Sequence, residues 1–207
     1  MEKQPELVDV NGESLSPEAV RMLDYLRTRA AELPTVGIRE RIRAAAHELE
    51  ITVSAVKESE ARLRPIEGHW NIAEVVDHIA QTQVRAAEEL RHLLAGRRPP
   101  LPPVYEALRS GAGQWAPWAE LVEGLHSANQ ALLEVLESAP SAPPSIGAPA
   151  VRTILVVLRT LADGSTVPQI WPLDLGWKEY ALLQRLHLLD HRTQIRKLRA
   201  AASVQQP

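Results

Sequence analysis

The chain contains no cysteine. That excludes disulfides, zinc–thiolate clusters and any catalytic thiol of the protein's own. It leaves the compartment open. Phenylalanine is also absent and aromatic residues make up only 4%, so Leu, Ala and Val carry the packing. Trp70, Trp115, Trp118, Trp171 and Trp177 supply most of the aromatic bulk. Charge is nearly balanced. A formal value of -3 argues against a general grip on nucleic acid, which needs a basic face. Long apolar runs are missing too. ILVVLRTL at 154–161 is interrupted by Arg159 and is far too short to cross a bilayer. The opening MEKQPELVDVNGESLS is polar and acidic, with none of the apolar stretch of a secretory signal. The expectation from these absences is a cytoplasmic protein with neither nucleic acid nor membrane as partner.

Familiar chemical motifs are missing as well. There is no phosphate-binding Gly-rich loop and no G-x-S-x-G elbow. Residues 186–191, L-H-L-L-D-H, have the histidine spacing of a zinc protease helix but lack its glutamate base. Glu74 and His78 are four apart, with no second copy, so the paired E-x-x-H helices of a di-iron bundle are not present.

What is present is helical periodicity. The length of 207 residues suits one large domain, or one domain with an extension. Residues 1–34 read as a tail plus an extra helix, with Ser16 as N-cap, Pro17 at the first helical position and Glu18 in the first turn. The first dozen residues read as loosely attached. Val20, Leu23, Leu26 and Ala30 form that helix's inward stripe. Residues 35–207 read as the main domain. A helix is expected over about 36–63, with Ile38, Ile42, Ala45, Leu49, Thr52, Val56 and Leu63 facing inward. RPIEGHWN (64–71) is a turn. The next helix starts at Asn71, where N-I-A-E is a capping-box pattern, and runs to about Ala95. After a long Pro/Gly connection, a fourth helix spans 118–138. The stretch 151–173 holds a β-branched run, a DGS turn signal and a second short run, and reads as a short helix or a small hairpin. The last helix covers about 174–201. The fold class is all-α, with helices packed as a bundle.

Three histidines stand out on this scaffold. His187 and His191 are an i, i+4 pair, so their imidazoles share one face with Leu183 and Ile195. Buried imidazole nitrogens need partners. Neutral imidazole is a common ligand for zinc, nickel and iron. If His78 arrives from another helix, three nitrogens can hold an ion and leave one position open. The other histidines (His47, His69, His92 and His126) read as surface residues. Glu74 reads as a capping residue rather than a fourth ligand or base, and Asp77 and Asp190 point around their helices away from the histidine beside them. A carboxylate or carbonyl should orient each ligand ring. The tryptophans read as packing residues, and Arg192, Arg196 and Arg199 as a solvated face or chain-to-chain contacts.

Two segments carry a family resemblance. GHWNIAEVVDHIAQTQ (68–83) resembles the early segment of DinB/YfiT-like proteins, in which a Trp precedes a helix bearing a ligand His. ALLQRLHLLDHRTQIRKLRA (181–200) is similar to their closing segment, with His187, His191, Gln194–Ile195 and Leu198–Arg199 in order. The likeness covers roughly 35–202. It implies a DinB-like four-helix bundle, often a homodimer. It also implies a divalent metal, zinc or nickel before iron or manganese, held by His78, His187 and His191 with water completing the shell. Characterised branches resemble S-transferases and isomerases that use bacillithiol, mycothiol or glutathione. The expectation is therefore a metal-dependent thiol transferase or a hydrolase of a small substrate. The alternatives are a non-catalytic stress-response or binding module with a structural metal, and a metal-free regulator.

Overall fold

The computed structural model describes residues 16–102, 107–141, 147–160 and 166–205. The opening dozen residues, the middle of the Pro-rich connection, part of the loop after 138 and the DGS signal at 163–165 lie outside the described residues.

The described helices are α1 (Pro17–Glu32), α2 (Thr35–Ser54), α3 (Glu58–Ala61), α4 (Ile72–Leu94), α5 (Ala112–Trp115), α6 (Trp118–Glu137) and α7 (Trp177–Gln205), with strands β1 (Val151–Thr160) and β2 (Thr166–Leu175) between α6 and α7. Around the bundle, α2 packs on α6, α6 on α4, α4 on α7, and α7 back on α2. Cross-helix bonds give the directions. Thr35 donates to the Pro140 carbonyl while the Trp118 indole donates to the Val56 carbonyl, so α2 and α6 run antiparallel. Lys178 donates to the Leu33 carbonyl and Arg199 to the Ala55 carbonyl, so α2 and α7 run parallel. His78 meets His187 and Glu89 meets Tyr180, so α4 and α7 are antiparallel. It follows that α4 and α6 are parallel neighbours. A helix of 20 residues is about 30 Å long, so such a pair needs a connection that returns the full length of the bundle. The Pro/Gly segment after Leu94 supplies it.

The starts of α1 and α4 follow local capping chemistry. Ser16 Oγ accepts from Ala19 N at 3.4 Å, and Pro17 opens α1. At α4, Asn71 Oδ1 accepts from Glu74 N at 2.9 Å while Glu74 Oε2 accepts from Asn71 N at 2.9 Å, closing the capping box. The helix expected over 36–63 instead stops at Ser54, with α3 as a separate turn. Its next carbonyls have other partners: Arg199 reaches Ala55 O and the Trp118 indole reaches Val56 O. Leu63, assigned inward, is consequently exposed, as is Val20 on α1.

The ambiguous 151–175 stretch is an antiparallel hairpin, in register from Val151↔Leu175 to Thr160↔Thr166. Val151, Trp171, Leu173 and Leu175 are buried, so the base of the hairpin presents one apolar face. Pro168 and Pro172 are tolerated because both strands are edges. The last helix accordingly begins at Trp177, residues 174–175 being paired in β2. No helix among the described residues is long and apolar enough to cross a membrane.

Candidate metal centre

His78 sits in the second turn of α4, and His187 and His191 sit one above the other on α7. The antiparallel packing of these helices brings together rings 109 residues apart in sequence. His187 Nε2 lies 3.0 Å from His78 Nε2 and 3.0 Å from His191 Nε2. The rings meet edge to face, with centroids 4.3 to 5.0 Å apart. Three nitrogens bound tetrahedrally at about 2.0–2.1 Å would be roughly 3.3 Å apart. The two edges that meet at His187 need to lengthen by only a few tenths of an ångström, and all three ligand atoms lie within 4.8 Å of one another.

Outer hydrogen bonds set the tautomers. His78 Nδ1 is 2.8 Å from the Leu108 carbonyl, which can only accept, so Nδ1 carries the proton and Nε2 presents its lone pair inward. His191 Nδ1 donates to Gln194 Oε1 at 2.7 Å with the same result. His187 Nδ1 is buried without a partner among the described residues. The protonation states agree with this. Burial, with the neighbouring imidazole of His191, pulls the His78 pKa down to about 4. Burial holds His187 well below the usual value and lowers His191 too. Three neutral imidazoles with converging Nε2 atoms are a donor set suited to zinc, nickel or iron. Among the described residues, no other His, Asp or Glu joins the cluster.

The Leu108 carbonyl is held in place by a second device. Asp77 accepts from Ser110 Oγ at 2.6 Å and from Gly111 N at 3.1 Å. Gly111 has φ +83°, a left-handed conformation that favours glycine. Asp77 thus reaches the centre indirectly, by fixing the loop that orients its neighbour. Outer partners of this kind are worth about 10–100-fold in metal affinity. Asp77→Ala should weaken zinc binding by that order, read by competition with a chromophoric chelator, with helical circular dichroism unchanged. Equal affinity in the variant would remove the loop from the account.

Acid should also destabilise the metal-free protein. Each imidazole has a folded pKa below its unfolded value, so the unfolded chain takes up protons first. Stability is complete above about pH 6.5 and falls as pH drops towards 4. Denaturant midpoints of chelator-treated protein across this window test the sign. His187→Leu should flatten the slope.

Glu74 uses both oxygens, in the capping box and with Arg64 Nη2 at 2.8 Å, so neither faces the centre. Asp190 is exposed. His47, His69 and His126 are exposed, and His92 is 3.2 Å from Glu88. Arg192 and Arg199 pair with Glu48 and Glu60, tying α7 to α2 and α3, and Arg196 is exposed. Trp115, expected in the core, is 75% exposed, because the short α5 docks through Gly113 instead. Trp118, Trp171 and Trp177 are buried as expected. Trp70 does more than pack. Its ring centroid is 5.1 Å from that of His78, and the Arg109 guanidinium lies over the Trp70 ring, 4.8 Å from its centroid. The sequence clue to this was the Trp standing just before the His-bearing helix.

The three histidines lie on the wall of a cavity of about 960 Å³. α4, α7 and the hairpin line it, with Met22 of α1 and Leu108 of the connecting loop. Leu183, Leu186, Ile154 and Ile170 make much of it apolar. An ion held by the three histidines would face this largely apolar pocket.

Comparison with known proteins accords with this architecture. The structure is similar to the mycothiol-dependent maleylpyruvate isomerase, with a TM-score of 0.58 and 17% identity over 80% of this chain and 62% of that one. The chain therefore spans less than two thirds of the isomerase. YfiT from Bacillus subtilis, described as "a probable metal-dependent hydrolase with an unusual four-helix bundle topology", is similar with a TM-score of 0.50 and 12% identity, over 95% of this chain and 91% of that one. At such identities the likeness concerns the fold. No curated protein matches the sequence. The model of the DinB superfamily matches residues 41–163, more than half of the chain and including His78 but not the α7 pair, and the protein belongs to that superfamily.

Proposed function

We propose that the protein is a divalent-metal-dependent enzyme in which His78, His187 and His191 are the ligands, zinc or nickel the ion, and transfer of a low-molecular-weight thiol to an electrophile the reaction. Hydrolysis of a small substrate is the second reading, favoured by the similarity to YfiT. The observation that carries the proposal is the convergence of three neutral Nε2 atoms on the wall of one cavity, two of them oriented from outside by carbonyl oxygens.

A bound divalent ion supplies a Lewis acid that lowers the pKa of a water or thiol into the neutral range. The chain does the rest. The Leu108 carbonyl and Gln194 hold two rings so that their lone pairs face inward. Burial keeps all three imidazoles unprotonated and available. The apolar pocket wall limits water around the reacting atoms, which strengthens electrostatic effects there. With no cysteine in the chain, the nucleophilic sulfur comes from a cofactor such as bacillithiol. A structural metal normally has four protein ligands. The three-residue cluster among the described residues speaks for an open site. The bundle domain is assigned to 35–207, with 1–34 an extension whose Met22 reaches the pocket.

The test is an assay of zinc-loaded and chelator-stripped protein with bacillithiol, mycothiol or glutathione and a chromogenic electrophile, beside a panel of ester and amide substrates. Metal-dependent thiol consumption is expected. Loaded protein that consumes no thiol and hydrolyses nothing would instead be a binding module.

A further inference from the structure

One polar group in the same pocket has no part in the reading above. Arg85, Glu89, Tyr180 and Gln184 line the wall made by α4 and α7. Glu89 is 2% exposed and Tyr180 3%, so a charge and a hydroxyl have been taken out of water. Such burial is tolerated only with good partners. Tyr180 donates its O–H to Glu89 Oε2, and Arg85 donates Nε–H to Glu89 Oε1 at 2.8 Å. Arg85 Nη2 donates to the Pro102 carbonyl. Burial and the Glu89 carboxylate hold the Tyr180 phenol well above its usual pKa, so it stays a donor. One guanidinium and one carboxylate leave the cluster neutral overall.

Two hydrogen-bonding positions remain open. Gln184 is 3% exposed, lines the cavity, and its Oε1 is buried without a partner among the described residues. Arg85 Nη1 has no partner among the described residues. Arg85 is seven residues beyond His78 on α4, and Gln184 is three before His187 on the antiparallel α7. Both therefore lie on the same side of the histidines. At about 1.5 Å of rise per residue they stand roughly 5–10 Å from the centre along the groove. The pocket has two poles: converging lone pairs suited to a cation, and a donor–acceptor pair whose guanidinium charge is offset by Glu89.

The second pole selects by chemistry. A carboxylate offers only acceptors. It would leave Gln184 Oε1 unpaired, and its charge would meet Glu89 behind the guanidinium. An amide presents its carbonyl to Arg85 and its N–H to Gln184, satisfying both. We propose that Arg85 and Gln184, braced by Glu89 and Tyr180, form a recognition subsite for an uncharged amide carried by the thiol substrate. For the thiol end this rests on the metal-enzyme reading; the amide end stands on its own geometry.

Calorimetric titration of zinc-loaded protein with 6-mercaptohexanamide, 6-mercaptohexanoate and hexanethiol tests it. The amide should bind roughly 10-fold more tightly than either companion, the worth of one or two well-made hydrogen bonds. Gln184→Met, close to isosteric, should erase that advantage while zinc content and melting temperature stay unchanged. Hexanamide titrated into zinc-free protein should still outbind hexanoate. Equal binding of the three thiols, or tighter binding of the acid, overturns the subsite. So does loss of zinc in Gln184→Met, which would make Gln184 a positioning residue for the unpartnered His187 Nδ1. If zinc and hexanethiol fail to bind while hexanamide still does, the metal reading fails and the amide subsite survives.

Discussion

His187→Ala should empty the metal centre while leaving the bundle folded. His187 is the shared vertex of the nitrogen triangle, 3.0 Å from each of the other two Nε2 atoms. Without it, His78 and His191 remain on different helices as two isolated nitrogens, and a divalent ion loses one of its three protein ligands. Losing an outer partner already costs up to about 100-fold, and losing a ligand costs more. The ion content should fall from about one per chain to a trace. The fold has little reason to follow. In the metal-free protein the imidazole is partly buried and its Nδ1 has no partner among the described residues, so its removal takes away an unsatisfied group as well as some packing. Alanine is also the best helix former. Helical circular dichroism should be unchanged, and the metal-free melting temperature should move by only a few degrees. The parent should gain stability on adding zinc, about 4 kcal/mol when free zinc is a thousandfold above its dissociation constant, and the variant should not. A variant that keeps one ion per chain would remove His187 from the ligand set.

How far this centre could be read from sequence depended on distance along the chain. The capping box at Asn71 and Glu74 and the i, i+4 pair of His187 and His191 are local patterns, and both appear in the structure as read. The arrival of His78 is not local. The sequence offered it only as a condition, a third nitrogen if its helix packed beside the other, and the resemblance implied that it does. The carbonyl of Leu108 left no trace at all, because every residue has a carbonyl and none is marked by its side chain. The end of α2 was hidden for a related reason. Trp118 and Arg199, far along the chain, take the carbonyls that would have continued the helix. The hairpin was ambiguous because a short apolar run has no decisive period; burial of Trp171, Leu173 and Leu175 against the bundle settles it. The Arg85–Glu89 pair is an ordinary i, i+4 ion pair in sequence. It becomes a buried cluster only through Tyr180, contributed by α7.

Gly113→Ala should be the most damaging single-methyl change in the described structure, and it should damage the metal centre from a distance. A Cβ at this position would lie 2.7 Å from Glu74 Cα, 2.9 Å from the Ala73 carbonyl oxygen and 3.1 Å from the Ala73 carbonyl carbon. All three obstacles are backbone, so no side chain can swing aside. Neither partner can retreat freely. The first turn of α4 is fixed by its capping box, and Gly113 O accepts from Arg62 Nη1 at 2.5 Å. The strain therefore goes into lifting α5 off α4, at a cost of roughly 2–4 kcal/mol. For a chain of this size that lowers the melting temperature by about 4–16 °C. The same movement pulls on residues 108–111, whose Leu108 carbonyl orients His78 and whose Ser110 and Gly111 are gripped by Asp77. Zinc affinity should fall along with stability. Gly124→Ala is the matched control. It lies within α6 with nothing near the added methyl, so it should be neutral or stabilise by up to about 1 kcal/mol and leave zinc binding alone. If Gly113→Ala melts and binds zinc like the parent, α5 is not the support that holds His78 in place.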